Sequence, residues 1–242
     1  MLRDGRSRRA GIGLRASRRE PATELVLRCN ALLFDLDGVL VDSAACVEAT
    51  WRRWAATHNL DPTIVIGEAH GRRSIDTIRR VAPDLAAENE AAALAASEST
   101  TTEGVYEVPG ARSLLEQLSP RHWAIVTSGI RSVASLRIAH THLPIPAVLV
   151  CSDEISRGKP DPEGYLTAAR HLGVEPAECV VVEDAPPGLE AARAAGMRSI
   201  GVATTYAPAA LHAATVCVAS LDALEIISAP HALPIELRVR RP

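Results

Sequence analysis

Short apolar runs alternate with amphipathic stretches along most of the chain. Runs of strand type fall at 31–34, 123–126, 147–150, 179–182 and 199–202. Between them, 111–118, 132–139, 163–172 and 188–195 carry apolar residues at helical spacing. Strand alternating with helix predicts an α/β fold with a parallel sheet covered on both faces. In such sheets a ligand sits beyond the carboxyl ends of the strands. One stretch breaks the alternation. From Ser43 to Val108 the pattern is helical, with helices expected at 44–57, 74–81 and 84–99. This reads as a helical cap (43–108) inserted into a core made of 25–42 and 109–229, with Pro109-Gly110 marking the return. Residues 230–242, with Arg238, Arg240 and Arg241, read as a loose C-terminal tail.

Composition narrows the classes. At 242 residues, 47% hydrophobic and 23% charged, the chain has the make-up of a folded core with a smaller insertion. No apolar run is long enough for a membrane helix, so no membrane partner is expected. Cys29, Cys46, Cys151, Cys179 and Cys217 are odd in number and form no CxxC pair. They fit a reducing compartment, and a cytoplasmic location, better than a disulfide framework or a zinc site.

Charge is uneven. The first 20 residues hold seven arginines against Asp4 and Glu20. Taking that net +5 from the total of −3 leaves the rest near −8. An acidic body with only 3% aromatic residues argues against nucleic acid as a partner. Residues 1–24 read as a basic tail, with a mitochondrial transit segment as the alternative.

Four strand ends carry the candidate chemistry. The first ends in Asp35-Leu36-Asp37-Gly38. Two carboxylates spaced by one residue can divide labour, one attacking phosphorus and the other moving a proton. The second ends in Thr127-Ser128-Gly129, hydroxyl and N–H groups suited to a phosphate, or to a plain helix cap. Lys159, in Gly158-Lys159-Pro160-Asp161-Pro162, is the only lysine among 26 basic residues. A compact ammonium can touch a carboxylate and a phosphate together, where the wide guanidinium fork cannot. The run at 180–182 ends in Glu183-Asp184, acids that a hard cation would neutralise. Each signal is modest alone. All four in order, at strand ends of one sheet, converge on one edge.

These segments also resemble a known family. FDLDGVLVDS (34–43), TSG (127–129), GKPDPEGY (158–165) and VVVEDAPPG (180–188) are similar to the four motifs of the haloacid dehalogenase-like superfamily, a likeness that covers about 32–219. The resemblance implies a Rossmann-like core with a helical cap after the first motif. It implies Asp35 as nucleophile and Mg²⁺ ligand, and Asp37 as general acid/base giving its backbone carbonyl to the metal. Leu36, Thr127, Ser128 and Lys159 would hold the phosphate. Asp184 would bind the metal directly, with Glu183 either a further ligand or just behind the ligands.

Within the superfamily, HGRRSIDTIRRVAP (70–83) and GVATTY (201–206) resemble sugar-phosphate and glycerol-phosphate phosphatases. The implied activity is Mg²⁺-dependent hydrolysis of a small sugar or polyol phosphate by a monomer or homodimer. The rival readings are a β-phosphoglucomutase-type enzyme and a non-catalytic phospho-ligand-binding protein. Ser74 stands where a mutase would carry a basic anchor for a second phosphate. His70, Arg72 and Arg73 are the candidate specificity residues of the cap. Trp51 and Trp54 are expected to pack the cap, and His140 and His142 to lie at the surface.

Overall fold

A computed structural model describes residues 24–229 and 232–240; the expected basic tail 1–24 lies outside the described residues except for Glu24, which opens the first strand. In chain order the strands are β1 (Glu24–Cys29), β2 (Ala31–Phe34), β3 (Val41–Asp42), β4 (Tyr106–Glu107), β5 (Trp123–Val126), β6 (Val148–Val150), β7 (Cys179–Glu183), β8 (Arg198–Val202), β9 (Val216–Val218), β10 (Leu224–Ile226) and β11 (Ile235–Arg240). The helices are α1 (Ala44–Thr57), α2 (Pro62–Ala69), α3 (Ser74–Val81), α4 (Ala87–Glu98), α5 (Ala111–Leu115), α6 (Arg131–His140), α7 (Glu163–Leu172) and α8 (Pro186–Ala194).

The expected parallel sheet has six strands in the order β6-β5-β2-β7-β8-β9. Side chains alternate across a strand, and β2 shows what this does. Leu32 and Phe34 pack on one face with Trp123, Ile125, Val182 and Ala134 of α6. Ala31 and Leu33 pack on the other with Val181, Tyr165 and Ala168 of α7 and Ala191 of α8. Both faces are covered, so the strand is apolar throughout. Each such side chain contributes about 1.5–3 kcal/mol by leaving water.

Helices α1–α4 lie between β3 and β4, which pair antiparallel. They share an apolar cluster of their own, with Trp51 and Trp54 edge-to-face at 5.5 Å and packed among Val65, Ile78 and Leu94. The tryptophans therefore pack the helices, as expected. Helix α2 was not expected from the pattern. Asp61 caps it by accepting from the Thr63 N–H, with Pro62 at its first position. Pro186 and Pro187 likewise open α8, where the first turn needs no N–H partner.

The expected loose C-terminal tail is corrected. Ile235–Arg240 forms β11, the centre of a three-stranded antiparallel sheet ordered β1-β11-β10. Ile235, Leu237 and Val239 point into the core while the residues between them face outward. This period of two is the signature of a half-buried strand. Among the described residues, no helix is long and apolar enough to cross a membrane, and all five cysteines are free.

Candidate active site

Parallel register brings the strand ends together. Phe34 stands opposite Val182 and Ile125, so Asp35, Glu183-Asp184 and Thr127 leave the sheet side by side. The Asp35 N–H donates to the Val182 carbonyl at 3.0 Å. Gly38, with φ of 81°, turns the chain away from Asp35 and Asp37. A side chain there would overlap the Asp184 carboxylate, so this glycine is required for the close approach.

Lys159, on the loop between β6 and α7, reaches under the cluster and is buried. Its Nζ lies 2.9 Å from Asp35 Oδ1 and 2.5 Å from Glu183 Oε1, and donates to the Val126 carbonyl at 3.2 Å. The Tyr165 ring sits 5.2 Å from the ammonium. Burial disfavours this cation, but the Asp35 and Glu183 carboxylates outweigh it and hold the Lys159 pKa above its ordinary value.

The carboxylates differ in how they are satisfied. Glu183 accepts from Lys159 Nζ and the Tyr165 hydroxyl on one oxygen, and from the Asp184 and Ala185 N–H groups on the other. Asp35 Oδ1 is buried and has no aligned hydrogen-bond donor, although the Lys159 ammonium is within ion-pair distance. Burial pushes Asp35 up to about 7, with Lys159 opposing and Glu183 and Asp37 adding. Asp184 is pushed well above the usual carboxylate range by burial and by the charges of Glu183 and Asp35. Ligand oxygens of Asp35, Glu183 and Asp184 lie within 4.8 Å of one another. Three buried carboxylates against one ammonium leave an excess of negative charge, and an all-oxygen donor set suits a hard divalent cation.

Above this floor is a cavity of about 480 Å³. Asp35, Asp37, Thr127, Ser128 and Asp184 line its base, and Glu48, Trp51, His70, Arg72 and Ser74 line it from the helical insertion. The Thr127 hydroxyl accepts from the Gly129 N–H at 3.1 Å, which leaves its proton free for a ligand. Ser128 instead donates to the Gly71 carbonyl at 3.0 Å and bridges the core to the insertion. The Leu36 side chain is fully buried in the core, so only its backbone can serve a ligand.

Of the candidate specificity residues, His70 and Arg72 reach the cavity. His70 packs edge-to-face on Tyr206 at 6.0 Å, and burial lowers its pKa. Arg72 leans on Glu68 at 3.9 Å. Arg73, expected as a substrate-binding residue, does not line the cavity. It pairs in a fork with Asp76 at 2.6 and 3.0 Å, and donates to the carbonyls of Ile155 and Ser156 at 3.2 and 3.1 Å. Two of its donors grip Asp76 of α3 and two tie it to the loop that leads into Lys159.

Sequence reasoning missed three residues around Asp37. Its Oδ1 accepts from Ser43 Oγ at 2.6 Å and from Arg137 Nη1 at 2.7 Å. Arg137 also reaches Glu98 of α4 at 3.3 Å. A signal for Arg137 was available. It falls on the buried stripe of α6, with Val133, Ala134 and Ile138, where an arginine needs a partner.

Comparison with known proteins agrees with this geometry. The family model described as haloacid dehalogenase-like hydrolase matches residues 29–196. Hexitol phosphatase A of Escherichia coli (strain K12) is 41% identical over 212 residues, spanning 85% of this chain and 97% of that protein. Glycerol-1-phosphate phosphohydrolase 2 of Saccharomyces cerevisiae is 37% identical over 194 residues, 75% of this chain and 78% of the yeast protein. The crystal structure of a hydrolase from Pseudomonas syringae superposes with a TM-score of 0.67 at 29% identity, covering 77% of this chain and 92% of that one. With the strand-end carboxylates and the buried lysine at one sheet edge, these matches make the chain a member of the haloacid dehalogenase-like hydrolases and a phosphoric monoester hydrolase.

Proposed function

We propose that this enzyme hydrolyses phosphate monoesters of small sugars or polyols, with Mg²⁺ as cofactor and a phosphoaspartate at Asp35 as intermediate. The observation that carries this reading is Asp35 Oδ1, a buried carboxylate oxygen without an aligned donor, 2.9 Å from a buried ammonium at the base of the cavity. An oxygen left free in a site where burial demands a partner is suited to attack and to a metal.

The residues present fit Mg²⁺. The Asp35 and Asp184 carboxylates and the Asp37 backbone carbonyl would hold it, with Glu183 as buttress because its four donors all come from the protein. When bound, the ion would neutralise phosphate charge and polarise the phosphoryl oxygens. The chain's own groups do the rest. Thr127, the Leu36 backbone and the Lys159 ammonium hold the phosphoryl oxygens. A carboxylate oxygen of Asp35 forms a bond to phosphorus as the ester P–O bond breaks, and Asp37 gives its proton to the departing alkoxide. In the second step Asp37 takes a proton from water, the water oxygen bonds to phosphorus, and the Asp35–phosphorus bond breaks.

The substrate class rests on the cavity and on the relatives. About 480 Å³ suits a small phosphorylated molecule. Of the two arginines lining it, Arg137 is occupied by Asp37 and Glu98, and Arg72 leans on Glu68. Little cation is left for the second phosphate that a mutase must anchor, so hydrolysis is favoured over transfer between hydroxyls.

The test is a panel of hexitol, hexose, glycerol and other small phosphate esters assayed with Mg²⁺ for inorganic phosphate and for isomerised ester. Phosphate release that stops on chelation and returns with Mg²⁺ is expected. Isomerisation without release, or release unaffected by exhaustive chelation, would overturn the reading.

A further inference from the structure

The group that moves the proton is held in part from outside the four sequence motifs. Asp37 Oδ1 accepts from both Ser43 Oγ and Arg137 Nη1, so that oxygen is occupied and Oδ2 is the one left to face a leaving group. Arg137 is buried on α6 among apolar neighbours and lines the cavity. A guanidinium in that setting is costly unless paired, and both its partners are carboxylates: Asp37 on the core and Glu98 on the last turn of α4. Ser43 precedes the first helix of the insertion and Glu98 ends the last. The entry to the insertion thus reaches the Asp37 carboxylate directly through Ser43, and its final helix reaches it through Glu98 and Arg137.

We infer that Arg137 is a positioning residue for Asp37. It fixes the rotamer that aims Oδ2 at the ester oxygen, and Glu98 braces it so that the pose depends on how α4 sits over the core. The inference rests on the phosphatase reading. It goes beyond it by adding an Arg137–Glu98 pair that meets the reaction through Asp37. Arg137 acts on the proton-transfer step alone, since Asp35, Lys159 and Thr127 make no hydrogen bond or ion pair with it.

A role confined to proton transfer has a signature that a structural ion pair lacks. An alkoxide leaving group needs the proton, whereas p-nitrophenolate departs largely without it. The quantity to measure is kcat/KM, which reports transfer to Asp35, for an alkyl phosphate and for p-nitrophenyl phosphate. Arg137→Met is expected to lower the alkyl value by about tenfold or more relative to the aryl value, in the same sense as Asp37→Asn. Arg137→Lys should recover part of the loss. The double variant Asp37→Asn, Arg137→Met should be no worse on the alkyl ester than Asp37→Asn alone, because both act through one group. If Arg137→Met does not fold, Glu98→Gln takes its place, with a smaller shift in the same ratio expected. Equal losses on both esters in whichever variant folds would overturn the inference. A wild type that releases phosphate, alongside such unselective variants, sinks the positioning role alone. A wild type that releases none sinks the phosphatase reading, and this inference with it.

Discussion

Replacing Lys159 with arginine keeps the charge and changes only its shape. The native ammonium sits within 3.2 Å of three acceptors, Asp35 Oδ1, Glu183 Oε1 and the Val126 carbonyl. The ammonium is compact enough to sit among them with a donor to spare, whereas the guanidinium offers five donors in a plane and is wider. The site is closed by the Tyr165 ring on one side and the Glu183 carboxylate on the other, so the larger head must displace Asp35 or crowd the phosphate position. Two costs follow and can be separated. Overpacking a buried site costs about 1–3 kcal/mol of stability. Loss of the close ammonium contact to Asp35 and phosphate is expected to lower kcat/KM by two to three powers of ten, roughly 3–4 kcal/mol of transition-state stabilisation. Calorimetry reads the first and phosphate release with Mg²⁺ the second. A folded K159R enzyme within threefold of wild-type kcat/KM would refute the reasoning, because charge alone would then suffice.

Further outcomes follow from the same geometry. Asp35→Asn should fold with undiminished Tm and release no phosphate above background, since an amide forms no acyl phosphate; substantial turnover in the folded variant would remove Asp35 as nucleophile. In the metal-free protein Asp184→Asn should raise Tm by relieving repulsion among Asp35, Glu183 and Asp184. Wild type, by contrast, should gain about 2.7 kcal/mol at Mg²⁺ a hundredfold above its Kd, about 5–10 °C in Tm, a gain the variant lacks. An equal Mg²⁺ shift in both proteins, by differential scanning fluorimetry, would count against Asp184 as a ligand. Arg72→Ala should reorder the ester panel, while Arg73→Ala should preserve the order and cost about 2 kcal/mol in stability, because its hydrogen bonds join α3 to the Lys159 loop. A reordered panel in Arg73→Ala would restore it to the substrate site.

What the sequence shows of the fold depends on how local each signal is. The buried strands β2, β5 and β7 are continuous apolar runs, and the helices Ala44–Thr57, Ser74–Val81 and Glu163–Leu172 have periodic apolar faces, so all are legible. Strand β11 is not. Its sequence IELRVR carries two arginines on the outward face, and the partner that buries its other face, β1, lies at the far end of the chain. Helix α2 is short and contains Gly67, so its cap at Asp61-Pro62 was the stronger sign. At the site, the strand-end residues were legible because parallel register brings strand ends together. Arg72 and Arg73 were not separable, since neighbours in sequence diverge where a helix begins: Arg73 caps α3 and faces the core loop, while Arg72 faces the cavity. The Arg137–Glu98 pair joins two helices through a tertiary contact that no local pattern announces.

The antiparallel pairing of β1 with β11 also bears on the order in which the protein is made. Strand β1 is the earliest strand described and β11 the latest, with Glu24 opposite Arg240 and Cys29 opposite Ile235. During synthesis the parallel sheet and its helices can assemble while the small sheet cannot, because its central strand has not left the ribosome. Leu27 and Cys29, buried in the finished protein, lack the cover that β11 gives until then. Until then β1 presents an unpaired strand edge, the kind of edge that invites pairing with another chain.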